Sequence, residues 1–149
     1  EREMWLRPML PSDTEAIREL ECDIFSDAWS EKNIKDSIES KFDYCMVIEE
    51  GYRVLAYIIF RVNMDEAELF RIATDKNSRN SGFAHELMNF MISNLRTMKV
   101  KKVFLEVRSK NTSAIRLYEN YGFKKIGIRR EYYSNPLDDA LLMEGYIKC

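Results

Sequence analysis

Apolar residues follow two different rhythms along this chain. In some stretches they alternate with polar residues, which is typical of strands that bury one face, and in others they recur every three or four positions, as in amphipathic helices. The first pattern predicts seven strands, within MWLRPM, DYCMVIEE, YRVLAYIIFRVN, AELFRIAT, KKVFLEV, FKKIGIRREYY and DDALLMEGYI. The second predicts four helices, which begin after Ser12, after Ser30, at Gly82 and after Asn111.

Residues that favour helix ends support these boundaries. The stretch SDTE, from Ser12 to Glu15, has the form of a capping box, in which two side chains each accept a backbone N–H. Asn111 is the predicted N-cap of the last helix. Gly122 is its predicted C′ residue, because glycine readily takes the left-handed backbone conformation found there.

The order of the elements restricts how the strands pair. Short turns, such as the one at Glu50-Gly51, allow most neighbouring strands to pair antiparallel. From Glu66 to Val107 the order is strand, helix, strand, which requires a parallel pair with a right-handed crossover. We therefore expect one α/β domain over residues 1–149, in the order β-α-α-β-β-β-α-β-α-β-β. Its mixed sheet is mostly antiparallel, with one parallel crossover pair and flanking helices.

The turn that begins the crossover helix, RNSGFAHELM, is a candidate anion site. Ligands of α/β crossovers bind beyond the carboxyl ends of the strands, and a helix N-terminus offers free N–H groups and partial positive charge. Gly82 lacks a Cβ, so a phosphate could approach its backbone, and Arg79 could add a full charge. An ordinary turn into a helix explains the same residues equally well. Neither GxxxxGK[ST] nor GxGxxG is present, so ATP and NAD are not indicated.

Composition further restricts the partners and cofactors that we expect. The formal net charge is −2, which suggests neither a nucleic acid nor an anionic membrane as partner. Three well-separated cysteines and one histidine provide no metal-ligand spacing and no disulfide framework, so we expect no metal and a reducing cytoplasm. The longest apolar run, Val54–Phe60, is too short to span a bilayer.

Several motifs resemble one superfamily. RNSGFA at 79–84 is similar to the [QR]-x-x-G-x-[GA] loop with which the GCN5-related N-acetyltransferases (GNAT) hold the pyrophosphate of acetyl-coenzyme A. The stretch LEVRSKNTSAIRLYENYGFKKIGIRREYY, at 105–133, resembles the ribosomal-protein-alanine N-acetyltransferases of that superfamily (the RimI type). WSEK at 29–32 and DDALLM at 138–143 are also similar to that group. The element order matches the acetyltransferase fold over nearly the whole chain.

The resemblance implies an acetyl-coenzyme A-dependent N-acetyltransferase. The implied acceptor is the N-terminal α-amine of a protein, specifically a ribosomal protein that begins with a small residue such as alanine. Two alternatives stay open at this point. One is an acetyltransferase for a small amine, such as a polyamine or an aminosugar, and the other is a non-catalytic module that binds acetyl-coenzyme A.

Glu106 is the candidate general base. Alternation along KVFLEV places it on the same face of its strand as Phe104, near the carboxyl end. The residues alone favour a solvated carboxylate, or one paired with an arginine such as Arg108. The resemblance instead matches Glu106 to the proton acceptor of the family.

Tyr118 is the candidate general acid. It belongs to a helical stripe with Ala114, Leu117 and Tyr121, and such stripes are usually core. A phenol, with a reference pKa of ~10, can still protonate a departing thiolate, whose thiol has a pKa of ~8.5. The resemblance matches Tyr118 to the proton donor in the motif N-x-x-A-x-x-L-Y-E, which opens at Asn111.

The resemblance also implies the contacts of the coenzyme. Main-chain groups of Ile72, Ala73 and Thr74 would bind acetyl-coenzyme A as a neighbouring strand does. We expect the oxyanion donors to be backbone groups as well, because FRIAT offers few side-chain donors. The other implied contacts are Arg79, Asn80, Ser81, Gly82, Phe83, Ala84, His85 and Asn111.

Two aromatic pairs are candidates for contacting an acceptor peptide. Phe25 and Trp29 lie in IFSDAWS, which is too apolar for an idle loop, and Tyr132 and Tyr133 end a strand just before SNP. Both segments resemble the peptide-flanking loops of the ribosomal-protein-alanine enzymes. Tyrosine offers flat contact area and a hydroxyl for the peptide backbone. Structural roles compete with this interpretation, because Trp29 could fasten the second helix and the tyrosines could pair across strands.

Overall fold

The computed structural model describes residues 3–148. Its strands are β1 (Met4–Pro8), β2 (Asp43–Glu50), β3 (Arg53–Asn63), β4 (Glu66–Thr74), β5 (Lys102–Arg108), β6 (Lys124–Ser134) and β7 (Leu137–Tyr146). Its helices are α1 (Thr14–Ile24), α2 (Glu31–Glu39), α3 (Phe83–Thr97) and α4 (Thr112–Asn120), and short 3₁₀ turns precede α1 and α3. The predicted element order is confirmed. No helix in this described part of the chain has the length and apolar character needed to cross a membrane.

The seven strands form one mixed sheet in the order β1-β2-β3-β4-β5-β7-β6. β4 and β5 are parallel, as the crossover requires, and the other neighbouring strands are antiparallel. The predicted fold class is therefore confirmed. The last strand, β7, lies between β5 and β6, so the chain turns back at the edge of the sheet before it ends.

The parallel pair is short, and this shapes the centre of the molecule. Glu66–Leu69 of β4 pairs with Lys102–Leu105 of β5, and beyond these residues the two strands part. β4 shifts its register at Phe70, the extra residue of a bulge, and continues along β3. β5 continues along β7. Because each strand stays with its outer neighbour, a wedge opens between their carboxyl ends.

Helices cover both faces of the sheet. α3 packs on one face through Leu87, Met91 and Leu95, which are fully buried at the predicted helical spacing, and α4 joins the same apolar cluster. α1 and α2 cover the other face through Ile17 and Ile34. The wedge lies between these two apolar layers, so groups from both faces of the sheet can reach it.

The beginning of α1 differs from the sequence prediction. Ser12 lies in the 3₁₀ turn, α1 begins at Thr14, and no side chain caps its N-terminus. The Asp13 carboxylate instead accepts hydrogen bonds from the Leu10 N–H (2.7 Å) and from the Arg7 guanidinium (2.8 and 2.9 Å). These bonds hold the turn against β1, so the predicted capping box was wrong.

The predicted N-cap Asn111 is confirmed, and Ser30, where the second helix was predicted to begin, is also an N-cap. Ser30 accepts a hydrogen bond from the Asn33 N–H (3.1 Å) at the start of α2, and Asn111 accepts one from the Ala114 N–H (3.2 Å) at the start of α4. Each side chain satisfies a backbone donor that the first turn of a helix leaves unpaired.

The end of α4 is closed by a Schellman motif. Gly122 has a φ of 86°, its N–H donates to the Glu119 carbonyl (2.9 Å), and the Phe123 N–H donates to the Tyr118 carbonyl (3.1 Å). The hydrophobic contact that accompanies this motif joins the rings of Phe123 and Tyr118, with centroids 6.0 Å apart. Gly145 of β7 leaves space for the Phe123 ring, because an added Cβ would lie 2.8 Å from it.

We expect Gly145→Ala to destabilise the fold by about 1–3 kcal/mol, the usual cost of overpacking a filled core. Phe123 is buried and fixed by the end of α4, so it cannot move aside easily. Gly127→Ala is the matched control, because its Cβ would meet the flexible end of Leu142 at 3.3 Å. Urea unfolding measures both variants. Equal midpoints for the two would contradict this account of Gly145.

Candidate active site

A cleft of about 760 Å³ occupies the wedge between β4 and β5 and reaches the first turns of α3 and α4. Every residue for which the sequence predicts a coenzyme contact lines it: Ile72, Ala73, Thr74, Arg79, Asn80, Ser81, Gly82, Phe83, Ala84, His85 and Asn111. The structure thus brings Asn111 together with two segments, 72–74 and 79–85, that precede it by more than 25 residues. Their roles in binding stay predictions.

The edge of β4 is one wall of the cleft. Ile72–Thr74 pairs with β3 on one side, and on the other side β5 has already diverged. In an antiparallel pair about half of the backbone groups of a strand point away from its partner. Those of Ile72–Thr74 that point away from β3 therefore face the cleft, where an extended ligand could pair with them.

Gly82 is the N-cap of α3 and has a left-handed backbone conformation, with a φ of 80°. The helical hydrogen bonds begin with the Glu86 N–H, which donates to the Gly82 carbonyl (3.0 Å), so the earlier N–H groups of α3 lack helical partners. Within the described residues, nothing lies within 4 Å of a Cβ built on Gly82. Glycine thus serves both the backbone conformation and the space in front of the helix.

The charged side chains that line the cleft are mostly basic. Besides Arg79, they include Arg108, Lys110 and Arg116, which the sequence prediction missed. The acidic exception is Asp138. Its carboxylate accepts hydrogen bonds from the Ser109 hydroxyl and from the backbone N–H groups of residues 110 and 139. These hydrogen bonds, chiefly the one from Ser109, hold the pKa of Asp138 below its usual value. The cleft therefore favours an anionic ligand.

Helical spacing was the signal that could have found Arg116. Asn111 begins α4 at the cleft, and Ser113, Arg116 and Asn120 follow on one side of the helix at intervals of three and four residues. All of them line the cleft. Tyr118 lies on the opposite side of α4 and is buried in the core. One side of the helix therefore lines the cleft, and the other packs against the core.

Glu106 lies near the carboxyl end of β5, as predicted, and just beyond the last residue that pairs with β4. Its side chain is 29% exposed and forms an ion pair with Arg129 of β6, with a distance of 3.4 Å from Nη2 to Oε1. Arg129, and not the neighbouring Arg108, is thus its partner. Glu68 of β4 lies near enough that the Glu106 charge adds to burial in raising the pKa of Glu68.

Tyr118 is 7% exposed, and its ring belongs to the core cluster beneath α4. Burial raises the pKa of its phenol, the nearby Arg71 acts in the opposite direction, and Tyr133 raises it further. Arg71 and Tyr133 belong to β4 and β6, so electrostatic contact with them extends across the wedge. The phenol remains protonated throughout the neutral pH range. Neither Tyr118 nor Glu106 is among the residues that line the cleft, and their catalytic roles stay predictions.

The two aromatic residues of the α1–α2 loop lie in different places, one at the cleft and one in the core. Phe25 lines the cleft, and the Arg71 guanidinium lies 4.0 Å from its ring centroid. Trp29 packs against Phe70, with ring centroids 5.9 Å apart, and does not line the cleft. Trp29 therefore has the packing role that the sequence left open, and its contact with an acceptor stays a prediction.

Tyr132 and Tyr133 lie at a second bulge, which is in β6. β6 loses its register with β7 between Arg129 and Tyr133, and the Asp139 carboxylate accepts the Glu131 N–H inside this bulge (2.8 Å). Tyr132 is 54% exposed and packs edge-on against Tyr133, with centroids 5.1 Å apart. Tyr133 pairs across strands with Asp138 of β7, so the structural alternative holds for Tyr133, whereas Tyr132 lies inside the bulge.

A buried glutamate that the sequence prediction missed fixes the α1–α2 loop. Glu21 is 1% exposed, and its carboxylate accepts hydrogen bonds from the Trp29 N–H (2.8 Å), Arg71 Nε (3.1 Å) and the Tyr57 hydroxyl. Burial, with the Glu21 charge next, raises the pKa of Tyr57 strongly. The signal in the sequence is spacing, because Glu21 lies one helical turn after the buried Ile17.

Metal ligands and thiols do not gather at this site. Within residues 3–148 no three His, Cys, Asp or Glu side chains are grouped as a metal ion would need. Cys22 is exposed, Cys45 is buried, and both are free thiols, while Cys149 lies outside the described residues. The absence of a metal from the reaction stays a prediction.

Comparison with known proteins decides the family. The sequence pattern of the acetyltransferase (GNAT) family matches residues 14–123, which is most of the chain. The chain belongs to the GNAT family. The motif at 79–84 and the motif that opens at Asn111 both fall inside the matched range.

Two GNAT relatives are similar over most of their length. The [ribosomal protein bS18]-alanine N-acetyltransferase of Escherichia coli K12 is 35% identical over 117 residues, which are 77% of this chain and 78% of that protein. The enzyme of the same name from Haemophilus influenzae is 31% identical over 138 residues, 91% and 93% of the two chains. With such relatives, this GNAT protein is an acetyl-coenzyme A-dependent N-acetyltransferase.

Solved structures of other GNAT proteins superpose closely. The ribosomal-protein-S18-alanine N-acetyltransferase of Escherichia coli gives a TM-score of 0.90 at 30% identity, covering 99% of this chain and 96% of its own. Ard1 from Thermoplasma volcanium gives 0.90 at 26% identity, covering 98% and 99%. Arabidopsis thaliana NAA60 in complex with acetyl-CoA, at 18% identity, shares the fold with a TM-score of 0.85 over 97% and 99%.

We expect Gly82→Val to weaken coenzyme A binding at least tenfold, or about 1.4 kcal/mol, because a branched side chain would project where the phosphates approach. Gly122→Val is the matched control. It suffers the same strain at positive φ and also has open space around it, but it lies outside the cleft. Calorimetric titration with coenzyme A measures both. A folded Gly82→Val protein with unchanged affinity would contradict the phosphate assignment.

Proposed function

We propose that this enzyme transfers the acetyl group of acetyl-coenzyme A to the N-terminal α-amine of a protein. The proposed acceptor is a ribosomal protein that begins with a small residue such as alanine, modified in the cytoplasm, and the whole chain acts as one domain. The observation that carries the proposal is the wedge where β4 and β5 part, lined by the open edge of β4 and the glycine turn of α3. The names of the two relatives support the choice of acceptor.

In this proposal the coenzyme is bound mainly by backbone groups. The edge of β4 at Ile72–Thr74 pairs with the extended pantetheine arm, and its N–H groups stabilise the oxyanion on the acetyl carbon. The turn from Arg79 to His85 holds the diphosphate at the N-terminus of α3. Asn111 contacts the coenzyme from α4, and the basic Lys110 and Arg116 attract the remaining phosphate.

Bound acetyl-coenzyme A supplies a thioester carbon that an amine can attack. The protein must first remove a proton from the acceptor ammonium. An N-terminal amine has a pKa of ~7.7–8.0, against ~10.4 for lysine, so a carboxylate or a water held by it suffices as base. Glu106 fills this role, because it lies on the open end of β5 beside the wedge. The acceptor ammonium then competes with Arg129 for the Glu106 carboxylate.

Tyr118 donates the second proton in this mechanism. When the carbon–sulfur bond breaks, the phenol gives its proton to the thiolate of coenzyme A. Burial keeps the phenol protonated until that moment, and the same apolar surroundings raise the pKa of the thiol it protonates. Arg71 stabilises the phenolate that results, until the phenolate takes up the second proton that the acetylated nitrogen must lose to become a neutral amide. The Phe123 ring packs against the Tyr118 ring and restricts its motion.

Aromatic side chains flank the path of the acceptor. Phe25 from the α1–α2 loop and Tyr132 and Tyr133 from β6 offer flat surfaces on either side, and the tyrosine hydroxyls can bond to a peptide backbone. Trp29 supports the loop from behind. A peptide that lies extended between these walls presents its first residue to Glu106.

We expect Glu106→Gln to lower the rate of transfer by roughly 10²–10⁴, because the amide keeps the shape but cannot accept the proton. Tyr118→Phe should slow turnover by a similar factor. Coenzyme binding and the unfolding midpoint should stay close to those of the wild type. Glu66→Gln, farther along the same strand pair, and Tyr146→Phe, at an exposed tyrosine, are the matched controls. Two catalytic variants that turn over at the wild-type rate would remove both assignments.

The acceptor is tested by a screen with acetyl-coenzyme A, in which mass shifts report acetylation of N-terminal peptides, polyamines and aminosugars. We expect peptides that begin with alanine or serine to be modified. Acetylation of only a polyamine or an aminosugar would overturn the proposed acceptor. In the same assay Tyr132→Ala and Tyr133→Ala should raise the peptide KM far more than the acetyl-coenzyme A KM. Tyr146→Ala, at the other end of β7, serves as the control.

A further inference from the structure

Arg108, the last residue of β5, joins two segments that flank the cleft. Its Nη2 donates to the Ser26 hydroxyl of the α1–α2 loop (2.6 Å), and its Nη1 donates to the Pro136 carbonyl in the β6–β7 turn (2.9 Å). A longer contact, 3.5 Å, reaches the Asn135 carbonyl of the same turn. The guanidinium also lies 4.1 Å from the Tyr133 ring centroid. One side chain therefore touches both walls of the acceptor path.

The geometry requires an arginine. The two Nη atoms point in different directions from one rigid plane, so a single guanidinium can hold a hydroxyl on one side and a carbonyl on the other while its face covers an aromatic ring. A lysine ammonium at the end of a flexible chain could not make all three contacts together. Arg108 also lines the coenzyme cleft, but both of its Nη atoms already bond to protein oxygens.

A second arginine holds the same loop from another strand. Arg71 of β4 donates to the Asp27 carbonyl (2.7 Å), and its guanidinium lies over Phe25. Arg71 fastens the loop to the sheet, whereas Arg108 fastens it to the opposite wall. The two arginines stand on the two strands that part, so the loop is fixed across the mouth of the wedge.

We propose that Arg108 is a positioning residue for the acceptor. By tying Ser26 to Pro136, it fixes the distance between the α1–α2 loop and the β6–β7 turn. That distance is the width of the groove that the peptide enters. The inference rests on the proposed function, because it assumes that the acceptor is a peptide lying between these walls. Loss of Arg108 widens and loosens the groove without changing the groups that carry out the proton transfers.

The test is a set of initial rates in which an alanine-first peptide and acetyl-coenzyme A are each varied in turn. Arg108→Gln should raise the peptide KM about fivefold or more, as expected when hydrogen bonds that order a binding surface are lost. The acetyl-coenzyme A KM and kcat at saturating peptide should stay near the wild-type values. Arg108→Lys should not restore the peptide KM, because an ammonium cannot join both segments.

Ser26→Ala removes the hydrogen bond between Arg108 and the α1–α2 loop. This variant tests the same inference if the Arg108 variants fold poorly. It should raise the peptide KM by a smaller factor, and it should add nothing in the Arg108→Gln background, because both changes break the same link. Arg7→Gln is the matched control. Arg7 joins Asp13 to Glu49 in a similar bridge away from the cleft, so its loss should lower stability and leave both KM values unchanged.

Each alternative outcome overturns the inference. Equal rises of both KM values would assign Arg108 to the coenzyme. An unchanged peptide KM in Arg108→Gln or in Ser26→Ala would leave the bridge with a structural role alone. A wild-type enzyme that acetylates no peptide overturns the proposed function together with the inference. An active wild type with an unaffected Arg108 variant overturns the inference alone.

Discussion

The parting of β4 and β5 is the constraint on which the rest of this molecule depends. Parallel strands must be joined by a crossover, and a crossover places a helix N-terminus beside the strand end. Here the pair separates after four residues, because β4 bulges at Phe70 and keeps to β3 while β5 keeps to β7. The wedge that results exposes the backbone of one strand and admits side chains from both faces of the sheet.

Charge is distributed around this wedge in two ways. On the side proposed for the coenzyme, basic groups such as Lys110 and Arg116 line open space. On the side proposed for the acceptor, three arginines are engaged with protein groups: Arg71 with Glu21, Arg108 with Ser26 and Pro136, and Arg129 with Glu106. The basic groups that line open space attract an anionic ligand by their electric field. The three engaged arginines hold in place the segments that they contact. Planar, multidentate guanidinium groups suit the second task.

Periodicity in the sequence was enough for the strands, the helices and the single parallel pair, because it reports which face of an element is buried. It does not report which element covers that face. The placement of β7 between β5 and β6, the bulge at Phe70 and the burial of Glu21 all depend on partners far away in the chain. For the candidate site, spacing predicted that Glu106 lies near the end of its strand and that Tyr118 belongs to a helical core stripe, as the structure has them, but the residues alone favoured structural roles. Only the family resemblance suggested chemistry.

The Schellman motif at the end of α4 has a consequence for local motion. Tyr118 contributes its carbonyl to the hydrogen bond from the Phe123 N–H and its ring to the adjoining aromatic contact. Fraying of the last helical turn would therefore displace the phenol while the sheet stays intact, and such sub-global openings are common at helix ends. The rate at which the Phe123 amide proton exchanges with deuterated solvent therefore reports how often the proposed proton donor is displaced.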